Sequence, residues 1–347
     1  MTSVQRSRRF ILLAGLSSLL WAIPASHVQA FSRHHATYRL VVLSFAGRIA
    51  QIQRETLFTP YTRLTHHPIT IRAWEGSLDA LRQQESRRYS SIAACMLETS
   101  SLHIACSSGL LVPPSASYEA KPPISIDYAI TWNRSQLNTP HDWVPDWADF
   151  WNIAYYPGRR SLRKDPRMTL EAAFLADGVS PDRLYRVLAT TEGVNRAFEK
   201  LDQIRPYITW WSTPEEARRI LTSNSVLMGL VPVGEMPVDD VVSHERRHQY
   251  FALSKYKRFR NHYSWGTPRH FWKRHLTLNL VTWLNQPAQR QAFANAWQIL
   301  EQNLEKNFLP STTSHTMTAQ PLIINDMFWS TTLPTIAPRF YHWANLS

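Results

Sequence analysis

Two histidines four residues apart flank a glutamate in the segment HERRH, residues 244–248. On a helix, histidines at this spacing share one face and lie about 6 Å apart at Cβ, which allows them to bind one zinc ion. Glu245 would then deprotonate the metal-bound water, as in a zinc peptidase. A catalytic zinc also needs a third protein ligand. The metzincin extension is absent, since Phe251 and Ser254 stand where its glycine and third histidine belong.

The third zinc ligand has only weak candidates elsewhere in the chain. Glu301 and Glu305 could serve in a gluzincin-type site, but both fall in a pattern that predicts a surface helix. Two arginines between the histidines would also lie beside the metal charge. The simpler interpretation of residues 239–254 is an exposed amphipathic helix with its acids near the N-terminus. A secreted zinc metallopeptidase, with His244 and His248 as metal ligands, is therefore the alternative function, and no cofactor is expected.

The first thirty residues predict export. A basic start precedes the apolar stretch ILLAGLSSLLWAI, which is too short for a membrane-spanning helix, and residues 28–30 offer a cleavage site before Phe31. We interpret residues 1–30 as a signal peptide and expect the mature protein in the periplasm. Residues 7–12 resemble a twin-arginine signal, and the Sec route stays open.

The chain is basic, with a formal net charge of +12 at pH 7 over 347 residues. Residues 255–260 form the one dense basic cluster, and export argues against nucleic acid as a partner. A solvated face, or attraction to an anionic membrane surface or partner, explains the charge as well. Cys95 and Cys106 could form a disulfide in an oxidising compartment or remain free thiols, and the sequence leaves both open.

Strand-like and helix-like patterns alternate along the mature chain. Residues 38–44, 69–74 and 91–96 are β-rich runs, each followed by a turn and a helical pattern, which predicts a parallel sheet flanked by helices. Residues 124–132 predict a further strand, after a proline-bounded connector where the chain could cross to a second α/β lobe. Residues 325–345 should form only short helical turns, because two prolines interrupt them.

Two neighbouring segments carry a family resemblance. Residues 147–152, WADFWN, and 156–167, YPGRRSLRKDPR, resemble the periplasmic substrate-binding proteins of ABC importers, specifically the spermidine/putrescine branch. The similarity extends to further segments, which are residues 43–47, 74–81, 106–113, 169–178, 196–202 and 226–229.

The resemblance implies an α/β protein with the two-lobed type II periplasmic-binding fold. Each lobe is a mainly parallel sheet flanked by helices, and the ligand cleft lies between the lobes. The implied first lobe is residues 31–128 with 267–308, and the second is 129–266 with 309–347. Such a protein is a monomer and not an enzyme. It captures a small polar solute, polyamine-like or another organic molecule, and delivers it to a permease in the inner membrane.

Candidate ligand residues stand where predicted strands end. Ligands of open parallel sheets lie beyond the carboxyl ends of the strands, and a cationic ligand favours aromatic faces together with carboxylates. Aromatic side chains at such positions also pack in cores, and glutamates also cap helices. The Asp165 position resembles that of a ligand carboxylate in polyamine-binding proteins. The predicted ligand-binding residues are Phe45, Trp74, Glu75, Glu98, Trp132, Asp165 and Trp265.

Three positions depart from the polyamine-binding pattern. Met168 replaces an acid, Pro232 replaces a stacking ring, and the acid expected near Thr267 is missing. A site that has lost two acids and a ring should bind a dication poorly. The ligand is therefore a different small solute, acidic or neutral, or the chain is a diverged binding protein with weakened ligand binding.

Overall fold

The computed structural model describes most of the chain. The described residues are 37–85, 91–113, 124–137, 143–237, 251–254, 256–271, 273–308 and 320–346. The predicted signal peptide and the HERRH motif lie outside them. Within the described residues, no helix has the length and apolar character needed to cross a membrane.

The described strands join in one sheet. They are β1 (Leu40–Ser44), β2 (Ile69–Ala73), β3 (Ile92–Glu98), β4 (Leu111–Val112), β5 (Ile124–Asn133), β6 (Arg160–Arg163), β7 (Ile208–Trp211), β8 (Met228–Pro232), β9 (Phe251–Leu253), β10 (Phe259–Pro268) and β11 (Leu322–Ile323). The main path runs β2-β1-β3-β10-β5-β8-β6-β7. β1 is parallel to β2 and β3, and β6 is parallel to β7 and β8. The sheet therefore contains two parallel groups, one on each side of the antiparallel pair β5 and β10.

Helices follow the strands of both parallel groups. The described α-helices are α1 (Arg48–Gln53), α2 (Thr59–Thr65), α3 (Leu78–Glu85), α4 (Thr99–Ser107), α5 (Trp147–Trp151), α6 (Pro166–Ala176), α7 (Pro181–Leu188), α8 (Thr191–Asp202), α9 (Pro214–Thr222), α10 (Arg274–Leu284), α11 (Pro287–Phe308) and α12 (Asp326–Ala344). A π-helical turn, Arg54–Phe58, connects α1 to α2. The predicted βα units and the strand beginning at Ile124 are confirmed.

The long strand β10 connects the two parallel groups. It pairs with β5 from Phe259 to Tyr263 and with β3 from Tyr263 to Gly266. Tyr263 therefore lies beside both Ile124, where β5 begins, and Glu98, where β3 ends. β8 runs toward the same region, since its last residue, Pro232, pairs with Tyr128. The carboxyl ends of β3 and β8 thus meet near the point where β10 changes partner.

The predictions for two segments were wrong. Residues 325–345 form the continuous helix α12, in which Pro334 and Pro338 are tolerated because its apolar side, including Trp329 and Phe340, is buried. The helix predicted over residues 239–254 does not extend to its end, because residues 251–253 form β9 against β5. All three β9 residues are buried there, so tertiary burial overrides the helical pattern.

The two cysteines are free thiols. Cys95 is buried in β3, and its sulfur lies 3.7 Å from the Gly266 carbonyl. Cys106 is partly buried in α4, 3.7 Å from the Val112 carbonyl. Burial raises the pKa of Cys106 to about 11, which keeps this thiol protonated and unreactive.

A buried carboxyl group should make the stability of the fold depend on pH. Glu171 of α6 accepts hydrogen bonds from the Tyr185 hydroxyl at 2.9 Å and the Trp329 indole at 2.7 Å, and burial raises its pKa to about 7. A raised pKa gives stability that is complete below the unfolded value of about 4.5 and is lost as the pH rises through about 7. Thermal unfolding of the mature chain should therefore show stability falling between about pH 5 and pH 8.

Glu171→Gln isolates this contribution, because the amide keeps an acceptor and cannot ionise. We expect its stability to fall less steeply over the same range, by up to about 3 kcal/mol. Equal slopes for the variant and the wild type would show that Glu171 binds the same number of protons in the folded and unfolded chain, and so that burial does not raise its pKa.

Candidate functional site

Four buried, charged side chains meet where β3 and β6 end. Glu98 contacts the guanidinium of Arg163, and its Oε2 lies 2.5 Å from Nη1 of Arg167. Asp165 accepts two hydrogen bonds from Arg167, at 2.8 Å from Nε and 2.6 Å from Nη2, and lies 3.6 Å from Nη2 of Arg163. We call Glu98, Arg163, Asp165 and Arg167 the charged cluster. It contains two positive and two negative groups, so its net charge is zero.

The start of α6 positions two members of the charged cluster, Asp165 and Arg167. Asp165 is the N-cap, with Pro166 at the first helical position, and its carboxylate accepts from the Arg167 backbone N–H at 2.9 Å. The backbone is not helical at Arg167 (ψ 137°) or at Met168 (φ 68°). This break lets the Arg167 guanidinium reach α4, where Nη1 donates to the Ser101 hydroxyl at 2.7 Å.

Mutual pairing keeps Asp165 and Arg163 charged. Burial alone would raise the pKa of Asp165, but the charges of Arg167 and Arg163 hold it below its ordinary value. Burial would likewise lower the pKa of Arg163, yet Glu98 and Asp165 raise it well above its ordinary value. Each buried charge is thus compensated by its neighbours, and removing one would leave its partner unpaired in a dry site.

Aromatic side chains lie beside the charged cluster on the long strands. The hydroxyls of Tyr128 and Tyr263 are 2.5 Å apart, and burial raises the pKa of both, so both are neutral. The Tyr128 ring stacks on Trp211 with centroids 6.2 Å apart, and Phe45 meets the edge of Tyr263 at 5.4 Å. Trp211 pairs with Arg163 in the sheet, and its buried indole N–H has no hydrogen-bond acceptor among the described residues.

The structure brings some of the predicted ligand residues together. Glu98 and Asp165 belong to the charged cluster, and Phe45 adjoins it through Tyr263. Trp74 is buried in a separate apolar cluster with residues such as Leu81. Their roles in ligand binding stay predictions.

The remaining three predicted residues are not members of the charged cluster. Glu75 is exposed and accepts a hydrogen bond from Ser77. Trp132 lies near the far end of β5 and packs on Trp143 with ring centroids 6.1 Å apart. Trp265 is buried in β10, where it packs against Phe58.

Sequence reasoning missed the two arginines of the charged cluster. It searched for carboxylates and rings that suit a cation, and so passed over Arg163 and Arg167 on either side of Asp165. The signal was present, because charges of both signs stand together in RKDPR, residues 163–167, within the segment that carries the family resemblance. Two of the residues that depart from the polyamine-binding pattern have structural positions. Met168 is buried at the helix break, and Pro232 ends β8.

No metal site is found within the described residues, where no group of three His, Cys, Asp or Glu side chains could hold an ion. His244 and His248 lie outside that part of the chain. The proposed third ligands have other partners, because Glu301 accepts from the Trp297 indole at 2.8 Å and Glu305 pairs with Arg258.

The charged cluster is closed to solvent. Each of its four members is at most 6% exposed. A cavity of about 930 Å³ opens elsewhere, beside α7 and the start of α12, and its lining is mainly apolar. The cavity and the cluster approach each other at Asp326, which lines the cavity and accepts from the Ser100 N–H at 3.1 Å. A solute can therefore reach the cluster only if the segments around it separate.

The chain belongs to the bacterial extracellular solute-binding proteins, because residues 115–305, more than half of it, match the model of that family. A curated relative is the gamma-aminobutyric acid (GABA)-binding protein of Pseudomonas aeruginosa, strain PAO1, which is 32% identical over 204 residues. This match covers 54% of the chain and 57% of that relative, so it spans little more than half the relative's length.

Solved structures share the fold at low identity. The PBP MotA from A. tumefaciens B6, in complex with glucopine, has a TM-score of 0.72 at 16% identity and covers 88% of this chain and 99% of its own. The spermidine/putrescine substrate-binding protein PotD from Streptococcus pneumoniae has a TM-score of 0.54 at 14% identity, covering 89% and 100%. The predicted type II periplasmic-binding fold is therefore confirmed.

Proposed function

We propose that this chain is the periplasmic binding component of an ABC importer and that its solute is a small zwitterion carrying one carboxylate and one amine, such as GABA. The observation that carries the proposal is the pair of buried arginines in the charged cluster. A solute carboxylate can take the place of Glu98 on Arg163 and Arg167, because guanidinium groups bind carboxylates through paired hydrogen bonds. The released Glu98 then accepts the solute amine.

Charge balance favours a zwitterion over a polyamine. The charged cluster is neutral as a whole, so a solute of zero net charge keeps every buried charge paired. A diamine would bring two further positive charges next to two guanidiniums and would leave them uncompensated. The P. aeruginosa relative is described as a GABA-binding protein, which supports the same solute class. The polyamine interpretation rests on a resemblance and on a fold neighbour at 14% identity.

Binding requires the cleft to open and close. We assign residues 31–128 with 267–308 to one lobe and residues 129–266 with 309–347 to the other, with β5 and β10 crossing between them. Rotation at these two strands would separate Glu98 from Arg163 and admit the solute. Residues 1–30 would direct export, and a permease in the inner membrane would receive the solute from the closed, monomeric protein.

Calorimetric titration of the mature chain tests the solute class. The protein is first unfolded and refolded to remove any solute retained from the host. We expect saturable binding of GABA, and putrescine and spermidine should bind at least about tenfold more weakly, because either polyamine would leave buried positive charges uncompensated.

The other outcomes discriminate between the alternatives. Tighter binding of putrescine than of GABA would contradict the zwitterion proposal and restore the polyamine interpretation. An increase in thermal stability with zinc and with no organic solute, reversed by a chelator and lost in His244→Ala, would support the metallopeptidase. An absence of binding with every solute and with zinc would favour the diverged binding protein.

A further inference from the structure

A second contact joins the segments that follow β1 and β8. The Glu235 carboxylate accepts a hydrogen bond from the Arg48 backbone N–H at 3.0 Å, and the Arg48 guanidinium donates to the carbonyl of Gly234 at 2.9 Å and to that of Met236. Gly47 has φ 75°, and a Cβ at this position would lie 2.8 Å from Oε1 of Glu235. The two segments therefore approach each other more closely than a side chain at residue 47 would allow. We call this the Glu235 contact.

The Glu235 carboxyl group is enclosed by the contact. Its residue is 0% exposed, and its Oε2 has no hydrogen-bond partner among the described residues. Burial raises its pKa to about 7, although the charge of Arg48, the backbone N–H groups of Arg48 and Ile49, and the charge of Arg218 act in the opposite direction. Tyr128, a third ionisable group coupled to Glu235, is neutral because burial raises its pKa.

Proton uptake leaves the hydrogen bonds from Arg48 to the backbone in place. The Arg48 guanidinium donates to the Gly234 and Met236 carbonyls, and neutralising Glu235 does not remove these acceptors. Oε1 of a neutral carboxyl group still accepts from the Arg48 N–H, and the proton resides on the unpaired Oε2. An ionised carboxylate would instead keep a charged oxygen without a donor inside the protein.

We propose that Glu235 takes up a proton from solvent when the cleft closes, so that acid favours closure and solute capture. The charged cluster and the Glu235 contact both join the two proposed lobes, so the opening that admits a solute also separates the segments after β1 and β8 and exposes Glu235 to water. The open carboxyl group is then an ordinary one, ionised at neutral pH. On closing, one carboxylate and one proton become one buried carboxylic acid.

The pH dependence has a defined sign. Glu235 has a higher pKa in the closed state, about 7, than the ordinary value of 4.5 expected when open. The contribution of the group to closure is therefore complete below about pH 4.5 and is lost as the pH rises through about 7. GABA keeps both of its charges through most of this range, because its carboxyl and amine titrate outside it.

Titration with GABA, which relies on the proposed function, measures this linkage. From about pH 5.5 to pH 8, the GABA affinity of wild type should fall by about tenfold or more, and buffers of different ionisation enthalpy should report uptake of a proton at neutral pH. Glu235→Gln keeps the acceptor and cannot ionise, so its affinity should be nearly independent of pH. Histidines titrate in the same range, and their contribution cancels in this comparison.

Glu171→Gln is the matched control. Glu171 also has its pKa raised to about 7 by burial, but its partners Tyr185 and Trp329 do not belong to the segments after β1 and β8. The control should therefore keep the wild-type pH dependence of GABA affinity. A Glu235→Gln variant with the full wild-type pH dependence, or wild type without proton uptake on binding, would overturn the proposal.

A solute-free measurement separates this proposal from the proposed function. Small-angle X-ray scattering of the mature chain without solute should give a smaller radius of gyration at about pH 5.5 than at pH 8, and the Glu235→Gln radius should not change. If GABA fails to bind but the radius changes in this way, the solute class is wrong and the proton linkage stands. If GABA binds and neither affinity nor radius depends on Glu235, the linkage is wrong.

Discussion

Arg163→Met should reduce GABA binding by at least about thirtyfold, because it removes a charged donor to the solute carboxylate inside a dry site. The same substitution leaves Glu98 with Arg167 as its one remaining charged partner. We therefore also expect the variant to lose about 3 kcal/mol of folding stability. Calorimetric titration with GABA and urea unfolding measure the two effects separately.

A double variant separates solute recognition from folding. Glu98→Gln combined with Arg163→Met restores the charge balance of the cluster, and it should recover much of the lost stability without recovering GABA binding. Arg159→Met is the matched surface control, because Arg159 is exposed and bonds to Thr209 and the Ile208 carbonyl outside the cluster. If the double variant bound GABA as tightly as the wild type, Arg163 would not be the carboxylate ligand.

The fold was predictable where local pattern and tertiary burial agree. The alternation of β-rich runs and helical patterns identified β1, β2 and β3 with their following helices. β1 and β3 are largely buried on both faces and read as apolar runs, whereas β2 lies at the edge of the sheet and is partly exposed. The pattern failed at β9 and at α12, where the outcome depends on which partner covers the segment. Such partners come from distant parts of the chain, and a local pattern does not identify them.

The sequence predicted candidate residues of the site, but it did not predict which side chains pair with one another. Glu98 was identified because it stands beyond a strand, where ligands of parallel sheets bind, and Asp165 because its position resembles that of a ligand carboxylate in polyamine-binding proteins. The pairing of Glu98 with Arg163 and Arg167 joins residues more than sixty positions apart, and the reach of Arg167 depends on the helix break at Met168. A buried methionine with positive φ is not a pattern that sequence reasoning finds, since non-glycine residues rarely adopt it.

The two contacts between the parallel groups have different electrostatic characters. The charged cluster pairs two positive with two negative groups, so under the proposed function it would exchange an internal partner for a zwitterion without a change in net charge. The Glu235 contact has a carboxyl oxygen without a partner among the described residues, so it responds to the proton concentration. Recognition of the solute and sensitivity to pH are thus assigned to separate residues, which allows each to be removed without the other.

Arg160→Met should be among the most destabilising single substitutions in the chain. Arg160 is 0% exposed and donates to three backbone carbonyls, those of Phe150 at 2.7 Å, Tyr156 at 2.7 Å and Gly158 at 2.8 Å. Burial lowers its pKa to about 10, so it still carries its charge at neutral pH. Methionine fills a similar volume but donates no hydrogen bond, and three carbonyls would lose their donor. We expect a loss of about 3 to 5 kcal/mol in the free energy of unfolding, measured with urea.

The neighbouring residue Arg159 provides the control for this prediction. Arg159→Met removes an exposed guanidinium with two acceptors and should cost less than about 1 kcal/mol. Equal urea midpoints for the two variants would show that the three carbonyls do not depend on Arg160.

Arg160 begins β6 and Arg163 ends it. The hydrogen bonds of the Arg160 guanidinium fix the start of this strand, and they therefore also fix the position from which Arg163 reaches Glu98. Arg160→Met should therefore also weaken GABA binding where the protein is still folded, although Arg160 does not touch the solute.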